Sequence, residues 1–351
     1  MIDLSKYKNK KVFITGHTGF KGGWLLAILN KEGAIVKGYA LAAEHKNGIY
    51  NTINGDNLCE SIISDIRDYK KLEDEILEFQ PDFIFHLAAQ SLVRTSYESP
   101  SETFEINVLG TSYLLASLRK LNKKCVTIII TTDKVYENNE AGIAYGENDR
   151  LGGFDPYSSS KACAELVTAS YKTSFFSSAT IASHQQEIAT VRAGNVIGGG
   201  DFSKDRIIPD LINSLMKGEK LKIRKPNSIR PWQHVLEPLI GYLTLGLMME
   251  NNSQSYSPSY NFGPEENDHL PVIDLVKEAI EVWGSGTWEI IKQDSLHEAG
   301  ILKLDISLAK NELKWKPRFS SKQAIQQTLE WYRAENPTEL TYNQIENYLN
   351  L

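Results

Sequence analysis

The chain has 351 residues, of which 41% are hydrophobic, so it can bury a large core and is not expected to be disordered. Its net charge of −6 excludes a general attraction to nucleic acid or to an anionic membrane, so any polyanionic partner must be small. Three cysteines without a CxxC spacing argue against a disulfide framework and a zinc site. We therefore expect a cytoplasmic protein with no metal, no membrane segment and no nucleic-acid partner.

Apolar segments rich in β-branched residues alternate with segments of helical periodicity through the first half of the chain. Strands are predicted at residues 11–15, 35–40, 61–63, 83–87, 126–131 and 188–193. Helices are predicted at residues 23–31, 69–79, 103–121 and 156–175, and residues 177–186 are predicted to form a polar surface loop. Repeated β-α-β units indicate an α/β fold with a Rossmann-like, doubly wound parallel sheet. Beyond residue 195 the pattern loosens, which predicts a smaller C-terminal lobe.

A glycine-rich turn, GHTGFKG at residues 16–22, follows the first predicted strand directly. Glycines allow the backbone to approach a pyrophosphate, whose charge is favoured by the N-terminus of the next helix. The triplet alone is weak evidence, but its place between a strand and a helix predicts a dinucleotide site. Residues 36–41 contain no carboxylate to hold the adenosine ribose, so this segment does not separate NAD from NADP. The expected dinucleotide contacts are Gly16, Thr18, Gly19, Phe20, Gly22, Asp65, Ile66, Leu87, Ala88 and Ala89.

Tyr157 and Lys161 are four residues apart on a predicted helix and therefore lie on one face. An ammonium beside a phenol lowers the pKa of the phenol, so that it can take a proton from a sugar hydroxyl. A second pair, Tyr7 with Lys11, has the same spacing but precedes the first strand, away from the sheet edge where ligands bind. The fifth strand ends in Thr132, Asp133 and Lys134, polar groups that indicate a site at that edge.

Six segments together resemble the extended short-chain dehydrogenase/reductases, and most of all their CDP-glucose 4,6-dehydratase branch. The resemblance covers most of the chain. The glycine turn and the Tyr/Lys pair are typical of the whole superfamily, whereas the Asp-Lys pair and the last two segments are more specific. The segments are GHTGFKG (16–22), HLAAQ (86–90), TDK (132–134), DPYS (155–158), AGNVIGGGD (193–201) and RPWQHV (230–235).

The resemblance implies an internal redox cycle, in which NAD takes a hydride from sugar C4, water leaves across C5 and C6, and the hydride returns at C6. It assigns Tyr157 as the base for the C4 hydroxyl, Lys161 as the group that holds the nicotinamide ribose, and Thr132 as a hydrogen-bond donor to the substrate. Asp133 then protonates the departing C6 hydroxyl. Lys134 stands where related enzymes have the Glu that takes the C5 proton, so its amine serves as a base only if its pKa is depressed.

Two further departures from the family pattern, Val135 for Cys and Ser64 for Gly, are not expected to alter the chemistry. The resemblance also implies a homodimer in which the helices at 103–121 and 156–175 pack against those of a second subunit. It divides the chain into an NAD-binding domain with the catalytic residues at 1–195 and a mainly substrate-binding lobe at 196–351, of which some segments return to the first domain.

Basic residues after position 200 are expected to face the diphosphate of a nucleotide-sugar, because arginine forks match phosphate oxygens. The alternative for this stretch, which also includes Lys204, Lys222 and Lys225, is a solvated charged surface. The expected substrate contacts are Gln90, Asn195, Arg206, Arg224, Arg230 and His234.

Two other functions stay open at this stage. A nucleotide-sugar 4-epimerase or reductase shares the oxidation at C4 but needs no acid for a C6 hydroxyl, so Asp133 disfavours it. A non-catalytic protein that senses a dinucleotide and regulates a partner uses the same fold, but such proteins commonly lack the Tyr/Lys pair. The sequence does not define the nucleotide base or the sugar.

Overall fold

Strands and helices alternate along the first half of the chain. The structure, a computed structural model, describes residues 3–251, 256, 258–291 and 300–351. The strands are β1 (Lys11–Thr15), β2 (Ile35–Ala40), β3 (Glu60–Ile63), β4 (Phe83–His86), β5 (Cys125–Ile130), β6 (Gln186–Ala193), β7 (Val196–Ile197), β8 (Leu221–Ile223), β9 (Ile229–Arg230), β10 (Gln233–His234), β11 (Ser259–Phe262), β12 (Leu270–Pro271) and β13 (Trp288–Ile290).

The helices cover both faces of the main sheet and build most of the C-terminal part. The helices are α1 (Phe20–Lys31), α2 (Ile49–Thr52), α3 (Tyr69–Phe79), α4 (Val93–Glu98), α5 (Pro100–Phe104), α6 (Gly110–Leu118), α7 (Pro156–Ser174), α8 (Ile181–His184), α9 (Ile207–Lys217), α10 (Leu236–Asn251), α11 (Val272–Trp283), α12 (Ser307–Glu312), α13 (Ser321–Arg333) and α14 (Pro337–Asn350). Among the described residues, no helix combines the length and the apolar character needed to cross a bilayer.

Within the described residues the main sheet has seven parallel strands in the order β11-β6-β5-β4-β1-β2-β3. Side chains alternate between the two faces of a strand. Val12 and Ile14 of β1 therefore join the core that contains α1 and α10, whereas Phe13 joins the core that contains α3 and α6. Helices on both faces of a parallel sheet confirm the predicted α/β, Rossmann-like, doubly wound fold.

A third core lies in the C-terminal part, where Leu211 of α9, Leu275 of α11 and Leu329 of α13 pack together. The chain does not stay in this lobe. After α10 packs on the main sheet, β11 pairs in parallel with β6 and becomes the edge of that sheet, with Tyr260 opposite Val191. The two halves of the chain therefore share one sheet.

Two predicted segments differ from the structure. The helix predicted over 103–121 is interrupted by a π-helical turn at Glu105–Leu109. This turn directs Asn107 inward, where its amide accepts from the Gln90 N–H at 2.9 Å and donates to the Ser160 hydroxyl at 2.8 Å. A π-helical turn of this kind inserts an extra residue and changes the direction of a side chain, which an apolar periodicity does not reveal.

The loop predicted over 177–186 is partly helical, with a 3-10 turn at Ser178–Thr180 and the short helix α8. Its last residue, Gln186, already belongs to β6, and its side-chain amide donates to the carbonyls of Leu121 and Lys123 at 3.1 and 2.8 Å. These hydrogen bonds satisfy the buried side-chain nitrogen of Gln186, so a residue that looks like part of a surface loop begins a strand.

Glu237 in the first turn of α10 is fully buried, and its carboxylate forms hydrogen bonds with the C-terminal part of the chain. Its carboxylate accepts hydrogen bonds from the backbone N–H groups of Arg318 and Phe319 at 2.9 and 2.7 Å and from the Tyr348 hydroxyl. Burial nevertheless raises the pKa of Glu237 to about 7. Since this folded-state pKa lies above that of an unfolded glutamate, the folded state binds the proton more tightly.

We expect Glu237 to make stability depend on pH. The stabilisation from its protonation is fully present below about pH 4.5 and is lost as the pH rises through about 7, a change on the order of 3 kcal/mol. Thermal unfolding between pH 5 and 8 should therefore show a smaller decline in Glu237→Gln than in the wild type. The exposed Glu289→Gln is the matched control; an equal decline in Glu237→Gln contradicts the assignment.

Candidate active site

The glycine turn connects β1 to α1 and brings its backbone very close to neighbouring chain segments. Gly16 has φ +77°, and a Cβ there would lie 2.8 Å from the backbone nitrogen of Ala88. A Cβ at Gly22 would lie 2.1 Å from the Gly16 carbonyl oxygen. Helix α1 begins at Phe20, directly after this turn. The turn thus presents a backbone cradle at a helix N-terminus, the arrangement that binds a pyrophosphate.

We expect Gly22→Ala to abolish dinucleotide binding and to lower the free energy of unfolding by about 3 kcal/mol, because the new methyl group meets backbone rather than a movable side chain. Calorimetric titration with NAD and urea unfolding measure the two effects. Gly146→Ala is the control, since a Cβ at that position meets no atom closer than 3.9 Å. NAD binding retained in Gly22→Ala would contradict the cradle.

A cleft of about 1030 Å³ opens at the carboxyl ends of the strands and extends into the C-terminal lobe. It brings together all of the residues that we predicted to contact a dinucleotide and most of those predicted for catalysis and substrate. The predicted residues that line it are Gly16, Thr18, Gly19, Phe20, Gly22, Asp65, Ile66, Leu87, Ala88, Ala89, Gln90, Thr132, Lys134, Tyr157, Lys161, Asn195, Arg206, Arg224 and Arg230.

Tyr157 and Lys161 lie on α7, which begins at Pro156 with Asp155 as its N-cap. The Lys161 amine donates to the Ile130 carbonyl at 3.0 Å, and burial lowers the pKa of Lys161 to about 8. Burial raises the pKa of Tyr157 to about 12, although the hydrogen bond with Thr132 opposes this rise. The predicted lowering of the Tyr157 pKa by Lys161 is therefore wrong in this structure, because burial outweighs the neighbouring charges.

Thr132, Asp133 and Lys134 form a short turn at the end of β5. The Thr132 hydroxyl and the Lys134 amine donate to the same Asp133 carboxylate oxygen, Oδ1, at 3.0 and 3.2 Å. Asp133 is fully buried behind its two neighbours, and its other oxygen, Oδ2, has no hydrogen-bond partner among the described residues. A buried carboxyl oxygen without a partner is costly, so Oδ2 is available to a hydrogen-bond donor. Asp133 itself is not one of the residues that line the cleft.

Two of the three arginines predicted to bind substrate, Arg206 and Arg224, have carboxylate partners in the structure. Arg206 donates to Asp201 at 2.9 Å and to the Ser91 hydroxyl at 3.0 Å. Arg224 donates to Asp205 at 2.7 Å. Both guanidinium groups are therefore paired with acidic side chains of the chain itself.

The other polar residues predicted to contact substrate differ in whether their side chains already have hydrogen-bond partners in the protein. The Asn195 side-chain oxygen is buried without a hydrogen-bond partner among the described residues, which suits a ligand contact. The Gln90 side chain is already engaged, since its amide donates to the Thr103 hydroxyl at 2.9 Å and accepts from the Leu92 N–H at 2.6 Å. Arg230 donates to the carbonyls of Ile229 and Gly300.

His234 does not reach the cleft, and the prediction that it contacts substrate is wrong. It is fully buried in β10, where its ring packs edge-on against Trp24 and Phe319. Burial lowers the pKa of His234 to about 3, so the ring is neutral. Lys204 is an exposed side chain outside the cleft. The excluded pair Tyr7 and Lys11 also lies elsewhere, since the Tyr7 hydroxyl donates to the Leu243 carbonyl at 2.9 Å.

Lys21 and Arg94 are among the cleft residues that were missed by the sequence reasoning. Burial and then the positive charges of Lys161 and Arg206 lower the pKa of Lys21 to about 7. Lys21 could have been identified from the sequence because it lies within the glycine-rich turn at residues 16–22. Arg94 lies on α4, and its Nε is 3.5 Å from Asp205 Oδ1. In the sequence, Arg94 was indicated only by its position shortly after the fourth strand.

Comparisons with known proteins agree with this geometry. A family model described as GDP-mannose 4,6 dehydratase matches residues 13–328. A CDP-glucose 4,6-dehydratase from Salmonella typhimurium is 45% identical over 335 residues, which cover 95% of this chain and 93% of the relative.

Solved structures share the fold. A dTDP-glucose 4,6-dehydratase from Streptomyces venezuelae, solved with NAD bound, superimposes with a TM-score of 0.79 at 22% identity and covers 92% of this chain and 97% of its own. A UDP-glucose 4-epimerase from Thermotoga maritima superimposes with a TM-score of 0.78 at 19% identity and covers 92% of this chain and 98% of its own. On the sequence matches, this chain belongs to the nucleotide-sugar 4,6-dehydratase family of the extended short-chain dehydrogenase/reductases.

Proposed function

We propose that this chain is a dehydratase that converts CDP-glucose to CDP-4-keto-6-deoxyglucose, with NAD as a cofactor that is regenerated in each turnover. The observation that carries the proposal is the meeting of Tyr157, Lys161, Thr132 and Lys134 in the cleft that begins at the glycine turn, with Asp133 buried between Thr132 and Lys134 in the same turn. The name of the 45% identical relative supports the choice of CDP-glucose.

The residues of the cleft fit a dinucleotide. Gly16 and Gly22 allow the turn to close tightly, because a Cβ at either position would collide with backbone atoms of the chain itself. Ala88 and Ala89 at the end of β4 are small residues in the cleft wall, and Asp65 follows β3 where an adenosine would end. NAD bound there would accept a hydride from the sugar C4 carbon and return it at C6.

The first chemical step requires a base at the C4 hydroxyl. Tyr157 can take this proton as a phenolate, and the positive charge of Arg206 favours that form. The buried Lys161 amine lies four residues further along the same helix, on the same face, where its positive charge would favour the phenolate. Thr132 is the residue that we assign to hydrogen-bond the sugar oxygen.

Loss of water requires an acid at the C6 hydroxyl and a base at C5. Asp133 and Lys134 are neighbours in the chain, and Lys134 Nζ lies 3.2 Å from Asp133 Oδ1. Asp133 would supply the acid at the C6 hydroxyl and Lys134 the base at C5, so that the adjacent pair provides both groups. This assignment offers a role for the lysine that replaces the usual glutamate.

The C-terminal side of the cleft supplies the contacts for the diphosphate. Arg206 and Arg224 carry guanidinium groups that match phosphate oxygens. The Asn195 side-chain oxygen, which has no partner among the described residues, is an acceptor suited to a hydroxyl group of the substrate. Arg230 lines the same side.

The test is an assay of purified protein with CDP-, UDP-, GDP- and dTDP-hexoses. We expect CDP-glucose to give a product whose absorbance in alkali is that of a 4-keto-6-deoxy sugar. A product that differs only in its configuration at C4 would instead support a 4-epimerase, and dinucleotide binding without turnover of any sugar would support a sensing protein.

We also propose that residues 1–195 bind NAD and carry the catalytic groups, while residues 196–351 mainly bind the substrate and return α10 and β11 to the main sheet. The cysteine pattern of the sequence supports a cytoplasmic location.

We further propose a homodimer through the region of α5–α6 and α7, where Leu109 and Leu166 are exposed apolar residues. Light scattering that shows only a monomer would overturn the dimer.

A further inference from the structure

The Asp205 carboxylate lies inside the cleft between two arginines. Its Oδ1 accepts a hydrogen bond from Arg224 Nη1 at 2.7 Å and lies 3.5 Å from Arg94 Nε. All three residues line the cleft that also contains Tyr157. One carboxylate oxygen therefore receives two guanidinium groups that come from opposite halves of the chain.

The backbone places this carboxylate. Asp205 has φ +60°, a left-handed conformation that asparagine and aspartate adopt more readily than other non-glycine residues. It lies in the loop directly before α9, and its side chain is 40% exposed. The carboxylate is thus accessible from the cleft and is not sealed inside the protein.

We propose that Asp205 occupies the position of one phosphate of the substrate diphosphate, and that Arg94 is, with Arg224, a phosphate-binding residue. This inference rests on the proposed function, because it requires a nucleoside diphosphate as the ligand. The substrate then binds by displacing the carboxylate: its phosphate oxygens replace Asp205 Oδ1 on the two guanidinium groups. Arginine forks bind phosphate strongly, and a diphosphate brings more negative charge than a carboxylate does.

Displacement of the Asp205 carboxylate by the diphosphate predicts the direction in which CDP affinity changes when the carboxylate is removed. If Asp205 competes with the diphosphate, removing its charge tightens binding, since the arginines no longer have to release a partner. If Asp205 instead orients the arginines for the ligand, removing its charge weakens binding. The competing pair is partly exposed, and pairs of this kind contribute modestly, so the expected change is about two- to fivefold.

The experiment is calorimetric titration of CDP into the wild type, Asp205→Asn and a control variant. Asparagine is isosteric and suits the left-handed backbone, so Asp205→Asn should fold normally. Asp274→Asn makes the same charge change on α11, outside the cleft. We expect CDP to bind about two- to fivefold more tightly to Asp205→Asn, with no change for cytidine and none in Asp274→Asn. Equal or weaker CDP binding by Asp205→Asn overturns the inference.

A second variant tests Arg94. We expect Arg94→Gln to bind CDP more weakly, and Asp205→Asn to give a smaller gain in the Arg94→Gln background than in the wild type, because the two residues share one interaction. Equal gains in both backgrounds would remove Arg94 from the phosphate site.

If the wild type binds none of CDP, UDP, GDP and dTDP, the proposed function falls with the inference. If it dehydrates CDP-glucose but Asp205→Asn shows no gain, only the inference falls.

Discussion

Replacing Tyr157 by Phe is expected to lower kcat by about 10²- to 10⁴-fold, the range that general acid–base groups contribute. The substitution removes only the phenolic oxygen, whose hydrogen-bond partner is Thr132. Without it, the base that we assign to the C4 proton is lost, so oxidation and the later loss of water are both expected to slow. The ring itself stays in place, and the fold should be retained.

Keto-sugar formation from CDP-glucose measures the loss, and calorimetric titration with NAD provides a second reading that does not depend on turnover. We expect NAD affinity to be nearly unchanged. Tyr171→Phe is the matched control, because it removes a hydroxyl from the same helix, where that hydroxyl contacts Ser112 at 3.3 Å outside the cleft. Full turnover by Tyr157→Phe would refute the catalytic assignment.

Replacing Asp133 by Asn should stop the reaction at a different point. The amide has nearly the shape of the carboxyl group but cannot donate an acidic proton to the C6 hydroxyl, so dehydration is expected to slow by about 10²- to 10⁴-fold. Removal of the C4 hydride depends on Tyr157 and should continue. The variant is therefore expected to stall after oxidation, with reduced nicotinamide retained in the protein.

Single-turnover mixing with CDP-glucose tests this by the near-ultraviolet absorbance of reduced nicotinamide, which should appear and persist in Asp133→Asn but not in the wild type. Glu137→Gln is the control, since it neutralises a half-exposed acid four residues further along the chain and outside the cleft. If Asp133→Asn dehydrates CDP-glucose at the normal rate, another group must protonate the leaving hydroxyl.

The first half of the fold was predictable because its strands are short, apolar and separated by strong turn signals. The bounds of β1 and β2 agree with the prediction, and those of β4 and β5 differ by one residue. The place of β11 in the main sheet was not predictable in this way. Four residues, Ser259–Phe262, carry little periodicity, and their pairing with β6 depends on contacts between residues distant in the sequence.

The residues of the candidate site also fall into two groups, those that local sequence signals predict and those that depend on contacts between distant residues. Tyr157, Lys161 and the β5 turn were predictable because they follow strands whose ends must meet at one edge of a parallel sheet. His234 was misassigned because a motif match does not reveal the direction of a side chain. Arg94 was missed because its partner, Asp205, is more than one hundred residues away, so no local spacing connects the two.

The position of β11 has a consequence for how the protein is made. During translation, β6 emerges well before Phe262, and until then the growing chain has an unpaired strand edge on its main sheet. An exposed edge of this kind invites pairing with other chains. We therefore expect a fragment ended near residue 195 to aggregate on expression, and the ribosome-bound chain to depend on chaperones until its last sheet strand is released.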